Sequence, residues 1–202
     1  MTTLTAPLPE EPMDPKRRQL LIATSVAGAA AGAAIAIPLL SSMAPSERAL
    51  SAGAPVEVDI SKLAPGEMMT VEWRGKPVWI IHRTPAMMAA LKAAEPFLVD
   101  PQSERPQQPS YATNEYRSVK PEIMVAIGIC THLGCSPKEK FAHGSAEGMS
   151  ADWPGGFFCP CHGSKFDLAG RVFKNVPAPT NLEVPPYKYL TDSRLVIGDD
   201  KA

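Results

Sequence analysis

Cys130-Thr131-His132-Leu133-Gly134-Cys135 and Cys159-Pro160-Cys161-His162-Gly163-Ser164 hold all four cysteines of this chain and two of its four histidines. Each stretch sets a cysteine beside a histidine, Cys130 with His132 and Cys159 with His162. Cys135 and Cys161 remain as a second matched pair. Two thiolates and two imidazoles offered to one centre suit a 2Fe-2S cluster in which histidines replace cysteines on one iron. Structural zinc is the commoner use of closely spaced Cys and His. Four thiols with two imidazoles are more than one tetrahedral ion uses, however, and the C-x-C-H order fits finger and ribbon spacings poorly. Two disulfides in an exported domain are a third reading, with three connectivities open, but it gives His132 and His162 no reason to sit beside the cysteines. His82 and His143 lie outside both stretches and read as ordinary strand or surface histidines.

Working outward, the chain around both stretches is mainly β. The apolar run 123–129 is a buried strand that delivers Cys130, and 156–158 does the same for Cys159, so the two stretches become facing loops. Alternation over 56–60, a hairpin 69–72 and 78–81 around Arg74-Gly75-Lys76-Pro77, and closing strands at 182–184, 187–190 and 195–197 complete the pattern. After the second stretch, 165–167 and 171–173 flank a tight turn at Leu168-Ala169-Gly170. One short helix is expected to start at Thr84 as N-cap with Pro85 in the first turn; Met87, Met88 and Leu91 fill its core side. Residues 96–121 are polar and proline-rich and read as a long surface excursion.

CTHLGC and CPCHGS together resemble the boxes of the Rieske iron-sulfur proteins, in the disulfide-containing form of the quinol-oxidising cytochrome bc complexes. The resemblance extends over nearly the whole chain. It implies an antiparallel β head domain with a cluster-binding subdomain and one Rieske 2Fe-2S cluster. By the same resemblance Cys130, His132, Cys159 and His162 are the metal ligands and Cys135 and Cys161 form a disulfide between the loops. Ser164 and Leu133 join the cofactor-binding residues, Ser164 as a hydrogen-bond donor to a bridging sulfide. His162 contacts the quinone, and His132 is the other exposed ligand. Pro177-Ala178-Pro179 looks like the loop that covers the cluster. Two positions depart from the family pattern: Val176 stands where glycine is frequent, and Phe166 stands where many members carry a tyrosine whose hydroxyl bonds a ligand sulfur.

The implied function is an electron-transfer subunit, within a multi-subunit quinol–cytochrome c oxidoreductase. It takes an electron and a proton from quinol and passes the electron to a c-type cytochrome. Cytochrome b and a c-type cytochrome are the implied partners, in a dimeric complex. The small Rieske subunit of a periplasmic oxidase such as arsenite oxidase is the alternative, and a zinc-stabilised interaction domain is the alternative of another class. A dioxygenase or its ferredoxin would leave Cys135 and Cys161 superfluous.

The N-terminal part supplies a tether for such a head. No charged residue occurs from Gln19 to Ser46, and this stretch is long enough to cross a hydrocarbon core as a helix. Gly28 and Gly32 make a G-x-x-x-G step that admits a close neighbouring helix. Lys16, Arg17 and Arg18 precede the span, while the first basic residue after it is Arg48. That asymmetry puts the N-terminus in the cytoplasm and the head in the periplasm, as a single-pass protein of a bacterial inner membrane. Arg17-Arg18 also looks like a twin-arginine export signal, and an oxidising compartment suits a structural disulfide. Ser42-Met43-Ala44 would pass as a cleavage site, whereas the resemblance implies an uncleaved anchor. The expected organisation is a cytoplasmic terminus 1–18, a span 19–43, a hinge 44–55 and a head 56–202. In the hinge, 46–50 can also form a short helix capped by Ser46. A formal net charge of −1 argues against a nucleic-acid partner, and the sequence shows neither a phosphate loop nor an internal repeat.

Overall fold

The computed structural model describes residues 14–200, so most of the expected cytoplasmic terminus lies outside the described residues. The chain divides into two units, Met1–Glu47 and Arg48–Ala202. The first contains α1, Pro15–Ser41, a helix of 27 residues. Asp14 caps it, its carboxylate accepting from the Lys16 N–H, and Pro15 takes the first position, where no N–H is needed. At about 1.5 Å per residue α1 is about 40 Å long, more than the roughly 30 Å of a hydrocarbon core. Its side chains are exposed on every face and its mean hydropathy is 2.1 over the best window. Such a surface is stable in lipid rather than water.

A short helix α2, Glu47–Ala52, lies at the boundary of the two units, within the stretch expected as a hinge. The remainder is three antiparallel sheets of three strands. β1 (Val56–Asp59) pairs with β9 (Arg194–Ile197), which pairs with β8 (Tyr187–Thr191), tying the two ends of the head together. β2 (Met68–Trp73), β3 (Lys76–His82) and β4 (Ile123–Ile127) form the second sheet; Arg74 and Gly75 turn the hairpin at positive φ. β5 (Lys138–Lys140), β6 (Gly156–Phe158) and β7 (Lys165–Phe166) form the third, which carries the second cysteine loop.

In the second sheet β4 and most of β3 are buried on both faces, as their apolar runs require, while β2 exposes Thr70 and Glu72. Val78, Ile80, Ile123, Val125 and Ile127 face the first sheet's core with Leu195 and Ile197. Trp79, Ile81, Met124 and Ala126 face the other way, onto Phe157, Phe166, Cys130 and Cys159. Each fully buried Ile or Val stabilises the fold by about 1.5–3 kcal/mol, so this sheet is the platform on which the cysteine loops rest. Trp79 stacks on Phe157 at 4.6 Å between ring centroids. Gly128 makes room for that indole, since a Cβ at this position would collide with it. The helix expected at Thr84 is α3, Pro85–Ala94; the Thr84 hydroxyl accepts from Met87 N–H and Leu91 is buried.

Two expectations need correction. Residues 182–184 form no strand: the Glu183 carbonyl accepts from Ile127 and Val184 N–H donates to Gln107, after which Pro185 and Pro186 offer no N–H to continue a ladder. The stretch 96–121 is not a surface excursion. It buries Leu98, Asp100, Ser103, Ala112, Arg117 and Ser118, and works as a strap across the head with short 3-10 turns at Glu95–Phe97 and Ser110–Ala112.

Three buried arginines meet at one turn, Arg117 from the strap, Arg83 from the segment after β3 and Arg171 directly after the turn. Arg83 donates to the carbonyls of Tyr116 and Leu168 and to Ser118, and Arg117 to those of Ala169, Gly170 and Leu182 and to Gln108. Arg171 pairs with Asp167 at 2.7 Å and donates to Pro101 and Leu91 carbonyls. Burial pulls the Arg83 and Arg117 guanidiniums down to about 10.

Candidate metal centre

The two cysteine loops have the same backbone construction. Cys130 N–H donates to the Cys135 carbonyl (2.7 Å) and Gly134 N–H returns to the Cys130 carbonyl (3.0 Å). Cys159 N–H donates to the Ser164 carbonyl (2.8 Å) and Gly163 N–H returns to Cys159 (2.9 Å). Gly134 and Gly163 sit at φ 83° and 79°, a left-handed conformation that a Cβ would strain and that closes each loop after one turn. β4 carries the chain to the first loop and β6 to the second, so the loops face each other at one end of the sheets.

Cys130 and Cys159 are both 2% exposed and carry free thiols in the apolar layer beneath the loops. Cys135 and Cys161 are joined by a disulfide that ties one loop to the other. The sulfurs of Cys135, Cys159 and Cys161 lie within 4.8 Å of one another. His132 and His162 stand toward solvent, half-buried and exposed respectively, with ring centroids 4.8 Å apart and planes perpendicular. Thus the buried side of the tip offers two sulfurs and the outer side two imidazoles.

Burial pushes the Cys130 thiol up, a backbone hydrogen bond from His132 opposing it, and its sulfur is in hydrogen-bond contact with Cys159 and Ser164. A thiol buried like that of Cys130 is ionised by a strong local positive charge, which a metal supplies. The Ser164 hydroxyl oxygen accepts from Ala178 N–H at 3.0 Å. Thr131 donates to the Thr180 carbonyl at 2.7 Å. These two bonds pin the proline loop 177–179 to both cysteine loops. Val176 is half-buried against the same apolar cluster and Phe166 is fully buried in it, while Leu133 points outward, 71% exposed.

Sequence reasoning passed over Thr131, Trp79 and Gly128. Thr131 lies inside the first stretch, but its partner is 49 residues away, so only the fold gives it a task. His82 binds the Leu63 carbonyl at 2.8 Å and stays clear of the tip, as read for it.

With the disulfide taking two sulfurs, two sulfurs and two ring nitrogens remain, a donor set that fits a mixed-ligand 2Fe-2S cluster and not an all-cysteine one. A family model described as "Rieske [2Fe-2S] domain" matches residues 105–188. A second, "Ubiquitinol-cytochrome C reductase Fe-S subunit TAT signal", matches residues 9–46. The ubiquinol-cytochrome c reductase iron-sulfur subunit of Allochromatium vinosum is 59% identical over 92% of this chain and 89% of its own length. The chain belongs to that family. The corresponding subunit of Blastochloris viridis is 41% identical over 91% of this chain and 92% of its own length. Among solved structures, one titled "Hyperthermophilic respiratory Complex III" aligns with a TM-score of 0.46 at 26% identity, covering 86% of this chain and 97% of that one.

Membership makes this chain a Rieske iron-sulfur subunit of an oxidoreductase complex, whose function is electron transfer through a [2Fe-2S] cluster. The twin-arginine match and the one long apolar helix fit a membrane-anchored subunit.

Proposed function

We propose that the protein accepts one electron and one proton from quinol at its tip and passes the electron to a c-type cytochrome. Cys130 and Cys159 would hold one iron of the cluster, and His132 and His162 the other. The observation that carries this reading is the division of the tip into two buried thiols and two solvent-facing imidazoles 4.8 Å apart. When bound, the cluster supplies a one-electron acceptor whose potential is raised because neutral imidazoles replace two thiolates.

The second ring nitrogen of His162, the more exposed of the two histidines, receives a hydrogen bond from the quinol hydroxyl and takes its proton. His132 flanks the same mouth. The disulfide and the two bonds to the proline loop exclude water from the sulfur side, where low dielectric strengthens every electrostatic contact. Ser164 donates toward sulfur, and Leu133 beside His132 presents an apolar surface to the quinol site.

Cytochrome b forms the quinol pocket around the tip and a c-type cytochrome receives the electron, within a dimeric complex. The N-terminus faces the cytoplasm and the head the periplasm, by the Lys16-Arg17-Arg18 asymmetry. Residues 19–43 span the membrane, 44–55 are the hinge on which the 56–202 head moves between donor and acceptor. Replacing Cys130, His132, Cys159 or His162 individually tests the assignment: each variant is expected to lose cluster iron and acid-labile sulfide. Retention of both in any one of them contradicts that residue's place in the ligand set.

A further inference from the structure

We propose that Arg83 and Arg117 are positioning charges for electron transfer, fixed positive groups behind the cluster site that hold its reduction potential up. The inference rests on the ligand reading above. Five charged side chains are buried among the described residues of the head: Arg83, Arg117 and Arg171 against Asp100 and Asp167, leaving one positive charge in excess. Arg171 is neutralised by Asp167 at 2.7 Å. Asp100 is occupied by the backbone N–H groups of Glu104 and Arg105. Arg83 and Arg117 therefore have no carboxylate in hydrogen-bond contact; their partners are carbonyls, Ser118 and Gln108.

Their placement aims that charge at the tip. Both grip the turn 168–170, which β7 joins directly to the second cysteine loop. From Ser164 to Asp167 the chain spans at most about 10 Å, at roughly 3.3 Å per residue. Arg117 Nη1 and the Met124 methyl both adjoin the position a Cβ on Gly170 would take. Met124 packs in the same apolar layer as Cys130 and Cys159. Met124 thus links the Arg117 guanidinium to the apolar layer that holds the thiols, and a field crossing an apolar medium is weakly screened by water or salt.

Reduction adds one negative charge to the centre, and a nearby positive charge favours the reduced form. A purely structural role explains the arginines less well. Apolar residues of similar volume often replace buried ions without loss of stability, and Nε of both Arg83 and Arg117 is buried without a partner. That is a cost a clamp made of apolar contacts would avoid.

The test is a redox titration of the intact membrane complex carrying Arg117→Met, Arg117→Lys or Gln108→Glu, followed by the reduced-cluster EPR signal at low and high ionic strength. Gln108→Glu sets a carboxylate against Arg117 without removing it, in place of the amide oxygen now 3.0 Å away. Arg117→Met and Gln108→Glu are each expected to lower the midpoint potential with unchanged line shape, and the drop persists at high salt. Arg117→Lys is expected to stay near the parent value. A parent-like midpoint in either charge-changing variant, or an equal fall in Arg117→Lys, overturns the proposal. If Arg117→Met fails to assemble, Gln108→Glu decides alone. A parent complex without a mixed-ligand cluster signal would instead contradict the ligand assignment.

Discussion

At Ser164 the hydroxyl oxygen accepts from Ala178 N–H, and the same hydroxyl is a neighbour that favours the ionised Cys130 thiol; under the proposed ligand set its proton is given to sulfur. Ser164→Ala is therefore expected to lower the midpoint potential in a redox titration and to loosen the proline loop. Phe166 is fully buried in the same layer. A tyrosine there gains a hydroxyl whose bond to a ligand sulfur, at about 1.5–3 kcal/mol for a charged acceptor, would raise the potential by at most about 60–130 mV, since about 1.4 kcal/mol is roughly 59 mV for one electron. An unchanged potential in Phe166→Tyr with its cluster intact would show that the hydroxyl does not reach. Cys135→Ser and Cys161→Ser are expected to cost about 2–4 kcal/mol of stability, the usual contribution of a disulfide. They should lose the cluster on warming before the parent does; equal thermal loss of cluster colour would argue against a stabilising role. The candidate ligands were legible in the sequence because their chemistry lies in residue type and short spacing. The three buried arginines were not, since their furthest partners lie 85, 65 and 80 positions away for Arg83, Arg117 and Arg171, and nothing local marks them as buried.

At the scale of elements, β4 is where apolar packing meets the site. Gly128→Ala would drive a Cβ into the Trp79 indole and displace it from Phe157, so thermal unfolding is expected at lower temperature, together with faster cluster loss. A melting curve matching the parent would contradict the close approach. Asp167→Asn removes the one carboxylate paired with Arg171, and breaking a buried pair costs about 3–5 kcal/mol; a denaturant titration reads this directly. In the hinge, Gly53→Ala extends helix propensity beyond α2 (Glu47–Ala52) by about 1 kcal/mol. It is expected to slow cytochrome c reduction with the cluster spectrum unchanged, and parent-like turnover would favour a fixed head. Strands of clear alternation and apolar runs, such as β1 and β4, could be read from the sequence. β5 (Lys138–Lys140), three exposed or half-exposed polar residues, carries no such pattern and exists because β6 offers it an edge. The strap 96–121 looked superficial for the converse reason: its polar residues are buried with partners that the strap itself brings from far along the chain.

For the molecule as a whole, a twin-arginine match, a long apolar helix and a Rieske head fit an exported, membrane-anchored electron-transfer subunit; the proposed function adds a hinge that delivers the tip to a membrane-soluble donor. Replacing Arg17 and Arg18 by lysines is expected to leave cluster-loaded protein on the cytoplasmic side, as read by fractionation; normal delivery would contradict the export reading. The central claim is that Cys130 and Cys159 on the inner side, and His132 and His162 on the outer, hold a [2Fe-2S] cluster that meets quinol. The most direct measurement is pulsed EPR on the reduced protein in its membrane complex, with and without an inhibitor that fills the quinol site. Nitrogen couplings from two imidazoles, and a line shape that changes when the inhibitor binds, are the predicted result. A cluster signal without nitrogen coupling, or one indifferent to the inhibitor, would contradict the account.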